Sequence, residues 1–236
     1  MNINELDIKI FETPTWYLQI SEYLKYFFND ITKEDYANEI WVEEKRKFTN
    51  IIADLLNEDK ISLGETGPNH DLDRTDIDTV VIHHTLGEEN ATYEYLNALS
   101  LLRLYVPEFS RPSKDYFGTP ICSNHIYKGR QTFLGYHYLI WNDGSFEQIL
   151  EDSYVGWHAG DWNMNCRSIA IALVGDYTCK YPTNESINTL DKILYKLKKK
   201  YNILEVLGHC DVLVGANGPG ETFHGPNGWR NELTNL

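Results

Sequence analysis

The run from Ile77 to Thr85 reads Ile-Asp-Thr-Val-Val-Ile-His-His-Thr and delivers two adjacent imidazoles, His83 and His84, at its end. A short, largely β-branched run bounded by Asp78 and Gly87 suits a buried strand better than a helix. Side chains alternate along a strand, so the two rings point to opposite faces. One is available to a metal or a substrate, and the other to the scaffold. Three later segments add weight: Gly135-Tyr136-His137-Tyr138-Leu139-Ile140, Gly156-Trp157-His158-Ala159-Gly160 and Gly208-His209-Cys210-Asp211-Val212.

In this order and at these separations the four segments resemble the zinc-dependent N-acetylmuramoyl-L-alanine amidases, over roughly residues 77 to 232. That family includes phage lysozyme-type amidases and the peptidoglycan recognition proteins. The resemblance implies an α/β fold, a mixed and mostly parallel central sheet flanked by helices, with the site at one end of the central strands. It implies Zn2+ held by His83, by His209, and by a Cys or Asp directly before Pro-Gly. In this chain Gly218 stands before Pro219-Gly220, and Ala216 stands where the family often has Lys or Thr. His224 is the candidate stand-in for the third ligand if its loop folds back, with Cys210 and His125 as further candidates. Asp211, His70 and His137 read as structural, and Asn217 as a poor neutral ligand. Tyr136 matches the tyrosine that positions the water or the scissile carbonyl, and His158 a histidine of the substrate cleft. Trp157 and Trp162 are candidates to stack on the muramic acid ring, and Arg167 with Ser168 to meet the carboxylates of the peptide.

Amide hydrolysis at neutral pH needs a strong nucleophile and a group that holds the developing oxyanion; a zinc ion with one open position supplies both. The activity that follows from the resemblance is cleavage of the amide between N-acetylmuramic acid and L-alanine of the stem peptide. The alternative is a catalytically inactive peptidoglycan- or muropeptide-binding module of the same fold. An enzyme of this fold acting on a different amide is a further rival.

The elements that must position these residues can be read from periodicity. Residues 1–60 form an N-terminal helical extension, 61–76 a linker rich in turn formers, and 77–236 the amidase-like domain. Trp16, Ile20, Tyr23, Leu24, Phe27 and Phe28 recur at helical spacing after a start at Thr13-Pro14. A second helix is predicted from Thr32, with Asp35 completing a capping box, through Tyr36, Ile40, Phe48, Ile51, Ile52, Leu55 and Leu56. Asn90 is the predicted cap of a helix through Tyr95, Leu99, Leu102 and Tyr105, and a long loop follows over about 106–134. Strands are predicted at Tyr136–Trp141, Phe146–Leu150 and Ile169–Val174, the first two joined by the turn Asn142-Asp143-Gly144. Asn184 is the predicted cap of a helix carrying Ile187, Leu190, Leu194 and Leu197, and a strand at Leu204–Leu207 presents His209.

Composition sets the outer bounds. With 236 residues, 42% hydrophobic and 13% aromatic, the chain can bury a substantial core. A net charge of −14, with one basic cluster at Lys198-Lys199-Lys200, argues against nucleic acid and anionic membrane surfaces as partners. No apolar stretch reaches the length of a membrane span. The acidic start Met1-Asn2-Ile3-Asn4-Glu5-Leu6-Asp7 lacks the pattern of a secretory signal, so a cytoplasmic or lysis-released protein is expected. Four cysteines without knuckle spacing read as reduced thiols. Peptidoglycan or muropeptides are the expected partners.

Overall fold

Trp16, Ile20, Leu24, Phe27 and Phe28 are all buried in the structure, a computed structural model that describes residues 3–28, 38–106 and 120–236. They fall in two short helices, α1 (Trp16–Gln19) and α2 (Ser21–Phe28), and at the break between them, Ile20, and not in one helix from Thr13-Pro14. In α3 (Glu39–Asn57) the cap is Asn38, whose Oδ1 accepts the N–H groups of Ile40 and Trp41 at 3.1 and 3.2 Å. The predicted start at Thr32 and Asp35, and Tyr36, lie outside the described residues. Phe48, Ile52, Leu55 and Leu56 are buried on one face of α3, but Ile40 is 74% exposed and leaves that face. Helix α4 (Tyr93–Leu104) is capped by Thr92 and not by Asn90, Thr92 Oγ1 accepting the Tyr95 N–H at 3.2 Å. Of the long predicted loop, residues 107–119 lie outside the described residues, and a hairpin pairs Ile126–Tyr127 with Arg130–Gln131. Buried Asn97 of α4 accepts the Phe133 N–H at 2.6 Å and donates to the Gln131 carbonyl at 3.2 Å. These helices share one apolar cluster, in a unit comprising residues 1–68 and 92–133.

A second unit, residues 69–91 and 134–236, is built on a five-stranded sheet. Its strands are β1 (Thr79–His84), β2 (Tyr138–Ile140), β3 (Phe146–Gln148), β4 (Ser168–Leu173) and β5 (Glu205–Gly208), in the spatial order β3-β2-β4-β1-β5. Only β3 runs antiparallel to its neighbour, which gives the mixed, mostly parallel sheet that the family resemblance implies. Strand ends differ from the predicted ones by at most two residues, and the start at Phe146 coincides. All six residues of β1 are buried, as expected of a central parallel strand covered on both faces. Two further helices are α5 (Trp162–Arg167) and α6 (Asn184–Lys200). Thr183, not Asn184, caps α6, Thr183 Oγ1 accepting the Ser186 N–H at 3.2 Å. No helix among the described residues is long and apolar enough to cross a membrane.

Alternation along the strands sorts the two faces of the sheet. Val80, Ile82, Tyr138, Ile140, Ile169, Ile171 and Leu173 pack with Ile187, Leu190, Ile193, Leu194 and Leu197 of α6 in one apolar cluster. The opposite face of β1 and β4 carries Thr79, Val81, His83 and Ser168, Ala170, Ala172. His83 is register partner to Ala172. Small side chains on β4 therefore leave depth above the sheet where β1 delivers an imidazole.

Candidate functional site

His83 stands 4.6 Å from His209, 4.9 Å from His158 and 5.2 Å from Tyr136, ring centroid to ring centroid. His209 opens the short helix α7 (His209–Val212) directly after β5, which pairs in parallel with β1. Adjacent parallel strands end side by side, so two imidazoles distant in sequence meet. His158 arrives on a loop that Asn165 of α5 pins: Asn165 Oδ1 accepts the N–H groups of His158 and Ala159 at 3.1 and 2.8 Å.

Two glycines permit that loop to press against the segment carrying Tyr136. A Cβ on Gly156 would fall 2.3 Å from the Gly135 carbonyl oxygen and 2.9 Å from Cε1 of His137, and a Cβ on Gly135 would fall 2.3 Å from the Trp157 carbonyl oxygen. Gly156→Ala is therefore expected to cost about 1–3 kcal/mol by forcing the two segments apart. Thermal unfolding measures this, and a variant melting at the wild-type temperature would show that the approach can relax without cost.

The tautomers follow from the hydrogen bonds. Ser168 Oγ–H donates to the Met164 carbonyl at 2.6 Å, so the hydroxyl oxygen accepts from Nε2–H of His158 at 3.1 Å. Nδ1 of His158 is then unprotonated and accepts from Nε2–H of His83 at 2.9 Å. His83 in consequence carries its lone pair on Nδ1. Burial, reinforced by His158, His209 and His84, holds His83 well below the ordinary imidazole range. Burial, then His137, His209 and Arg74, does the same for His158. Burial also lowers His209; no hydrogen bond of good geometry holds its Nε2, although the Ala159 backbone offsets part of the shift. The cluster is thus a set of neutral imidazoles at physiological pH.

The remaining histidines serve other places. His84 points to the α6 face, and its Nδ1 accepts the Tyr177 N–H at 3.0 Å. His137 accepts the Ala170 N–H on Nδ1 and donates from Nε2 to the Tyr154 carbonyl, both at 3.0 Å, replacing a rung of the ladder. The His70 ring lies edge-on to Trp157 and Trp162 at 4.8 and 5.4 Å, and these tryptophans are 51% and 37% exposed. His125 belongs to the other unit, its N–H donating to Ser123 Oγ at 3.2 Å. His224 is not brought to the cluster; it pairs with Asp211 at 2.9 Å. Arg167 donates to Asp78 Oδ1 and Thr79 Oγ1, both at 2.6 Å, at the start of β1 and so at the opposite end of that strand from His83. Ser168 is fully buried in the bonds to His158 and Met164. Sequence reasoning missed Asn165 as the anchor of the His158 loop and the two alanines that make room for the rings; small residues in a strand carry no signal of that kind.

A zinc ion normally takes three protein donors in a catalytic site, and an anionic one contributes much of the affinity. Gly218 lies where a third donor could reach: a Cβ there would be 3.7 Å from Nδ1 of His209 and 3.6 Å from Cδ2 of His84. Glycine supplies none. Among the described residues, three His, Cys, Asp or Glu donors within 4.8 Å of one another are found at Cys210, Asp211 and His224, and not around His83 and His209. Two neutral imidazoles do not fit a catalytic zinc.

The profile of the N-acetylmuramoyl-L-alanine amidase family matches residues 73–221. Peptidoglycan-recognition protein SD of Drosophila melanogaster is 29% identical over 128 residues, covering 48% of this chain and 67% of that protein. The endolysine N-acetylmuramoyl-L-alanine amidase LysCS from Clostridium intestinale URNW aligns with a TM-score of 0.49 at 22% identity, over 73% of this chain and 90% of its own. The crystal structure of the Drosophila protein SD aligns with a TM-score of 0.44 at 23% identity, over 70% and 89%.

Proposed function

Because the chain belongs to the N-acetylmuramoyl-L-alanine amidase family, we propose that it recognises peptidoglycan, or muropeptides released from it, on the sheet face around His83 and does not cleave them. The observation that carries this reading is the pairing of an assembled histidine cluster with a glycine at the position of the third donor. Tyr136, half-buried beside His83, and the exposed rings of Trp157 and Trp162 offer aromatic surface to a sugar and its peptide.

Calorimetry of a muramyl peptide with the full chain, in the presence of a metal chelator, is expected to show binding, with no stem peptide released. Trp157→Ala is expected to weaken that binding about tenfold, the effect of truncating a moderately strong contact residue. Unchanged affinity in that variant would take the tryptophan patch out of the binding face.

One observation supports a hydrolytic reading as well. The chain of hydrogen bonds from Met164 leaves a lone pair on Nδ1 of His83, beside the ring of His209. On that reading the chain is an amidase for the bond between N-acetylmuramic acid and L-alanine, and zinc supplied in excess would have to be held by His83 and His209 alone. Stem-peptide release that requires added zinc and disappears in His209→Ala would replace recognition with hydrolysis.

A further inference from the structure

Cys210, Asp211 and His224 each place one donor atom within 4.8 Å of the other two. The first two lie within α7 and the third follows Pro219-Gly220, so the cluster joins separate segments, and the backbone between them is tied. The Cys210 N–H donates to the Gly218 carbonyl at 2.7 Å. Asp211 Oδ2 accepts the Gly208 N–H at 2.8 Å, which orients the carboxylate, and Nε2 of His224 lies 2.9 Å from Oδ1. A thiol, a carboxylate and an imidazole form a mixed donor set that suits a zinc-class divalent cation and not the oxygen-seeking magnesium or calcium. Around such an ion, donors stand about 3.5 Å apart, so the three side chains need only a short closure. Asp211 and His224 are exposed, which leaves a fourth position open to water.

We propose that Cys210, Asp211 and His224 bind a zinc-class divalent cation at a site of their own, beside the His83–His209 pair and separate from it. Bound there, the cation fastens residue 224 to α7 and holds the intervening loop that carries Gly218. The site stands whether the histidine cluster recognises or hydrolyses its ligand.

Cobalt(II) titration of the full chain under reducing conditions tests this, because only a sulfur ligand gives the intense near-ultraviolet thiolate-to-cobalt band. The band is expected to saturate at one equivalent, to vanish in Cys210→Ser, and to need at least about tenfold more cobalt in His224→Ala. It is expected to survive unchanged in the double variant His83→Ala, His209→Ala. Both single variants are mild, one nearly isosteric and the other at an exposed residue, and circular dichroism verifies their folding. Absence of the band, its persistence in Cys210→Ser, or its loss in the His83/His209 double variant would each overturn the proposal. The last outcome would make Cys210 a ligand of the histidine pair.

Discussion

In a Cys210→Ser background, Gly218→Cys is expected to turn a chain that loses zinc on gel filtration into one that keeps one equivalent. The substitution adds a thiolate to two neutral imidazoles, supplying the anionic donor the set lacks. Backbone geometry allows it, since Gly218 is absent from the left-handed positions of the chain. The new Cβ would meet Cβ of His209 at 3.3 Å, a contact relieved by a shift of tenths of an ångström, and would lie 3.7 Å from Nδ1 of that residue. Changes merely to the partners of a metal ligand alter affinity by about 10–100-fold, so a new ligand should gain at least about a hundredfold. The measurement is elemental analysis in a Cys210→Ser background, so that metal at the neighbouring thiol does not count, with Gly218→Ala as the control for the added Cβ. Zinc retained at one equivalent by the Gly218 protein, and lost on His209→Ala, would show that the two imidazoles suffice, and the case for recognition without cleavage would fall.

How far the sequence anticipates this site depends on the range over which each feature is set. The opposed directions of His83 and His84 follow from the two-residue period of a strand, and the apolar stripe of α6 from the helical one; both are local and both were legible. Helix caps were misplaced because Thr183 and Asn184, adjacent in sequence, are both good caps. The choice is tertiary: Thr183 Oγ1–H also donates to the Asn142 carbonyl at 2.6 Å, a contact that no window around residue 184 contains. The sequence offers Arg167 as a contact for substrate carboxylates, yet Asp78 and Glu205, remote in sequence, occupy its guanidinium. The partnership of α4 with the N-terminal helices, and the place of Ala170 and Ala172 beneath the histidines, are likewise long-range facts without a local pattern.

Asp152→Ala is expected to remove about 3 kcal/mol of stability at neutral pH while sparing the site. Its carboxylate, 5% exposed, accepts from Tyr138 Oη at 3.0 Å, Gln148 Nε2 at 3.0 Å, Lys200 Nζ at 2.7 Å and Tyr201 Oη at 2.9 Å. The Lys200 contribution is discounted because that side chain is 61% exposed. The bonds from Tyr138, Gln148 and Tyr201 to a buried charged acceptor account for the rest, each worth up to about 1.5–3 kcal/mol before relaxation. Burial pushes the Asp152 carboxyl up, but the bonds from Lys200, Tyr201 and Tyr138 outweigh it and hold the group below the usual carboxylate range. A depressed folded-state value contributes stability that is fully present above the unfolded-state value, about 4, and is lost as pH falls through the folded one. Urea unfolding at neutral pH and near pH 3 should therefore show a steeper acid loss in the wild type than in Asp152→Asn, and equal losses would remove this carboxylate from the explanation. Muropeptide binding in Asp152→Ala should persist below its melting temperature. Arg74 donates to the carbonyl oxygens of Asp152, Asn165 and Ser168, at 2.7, 3.0 and 2.9 Å. Those are backbone groups that the substitution leaves in place, and they hold the two residues, Asn165 and Ser168, that seat His158.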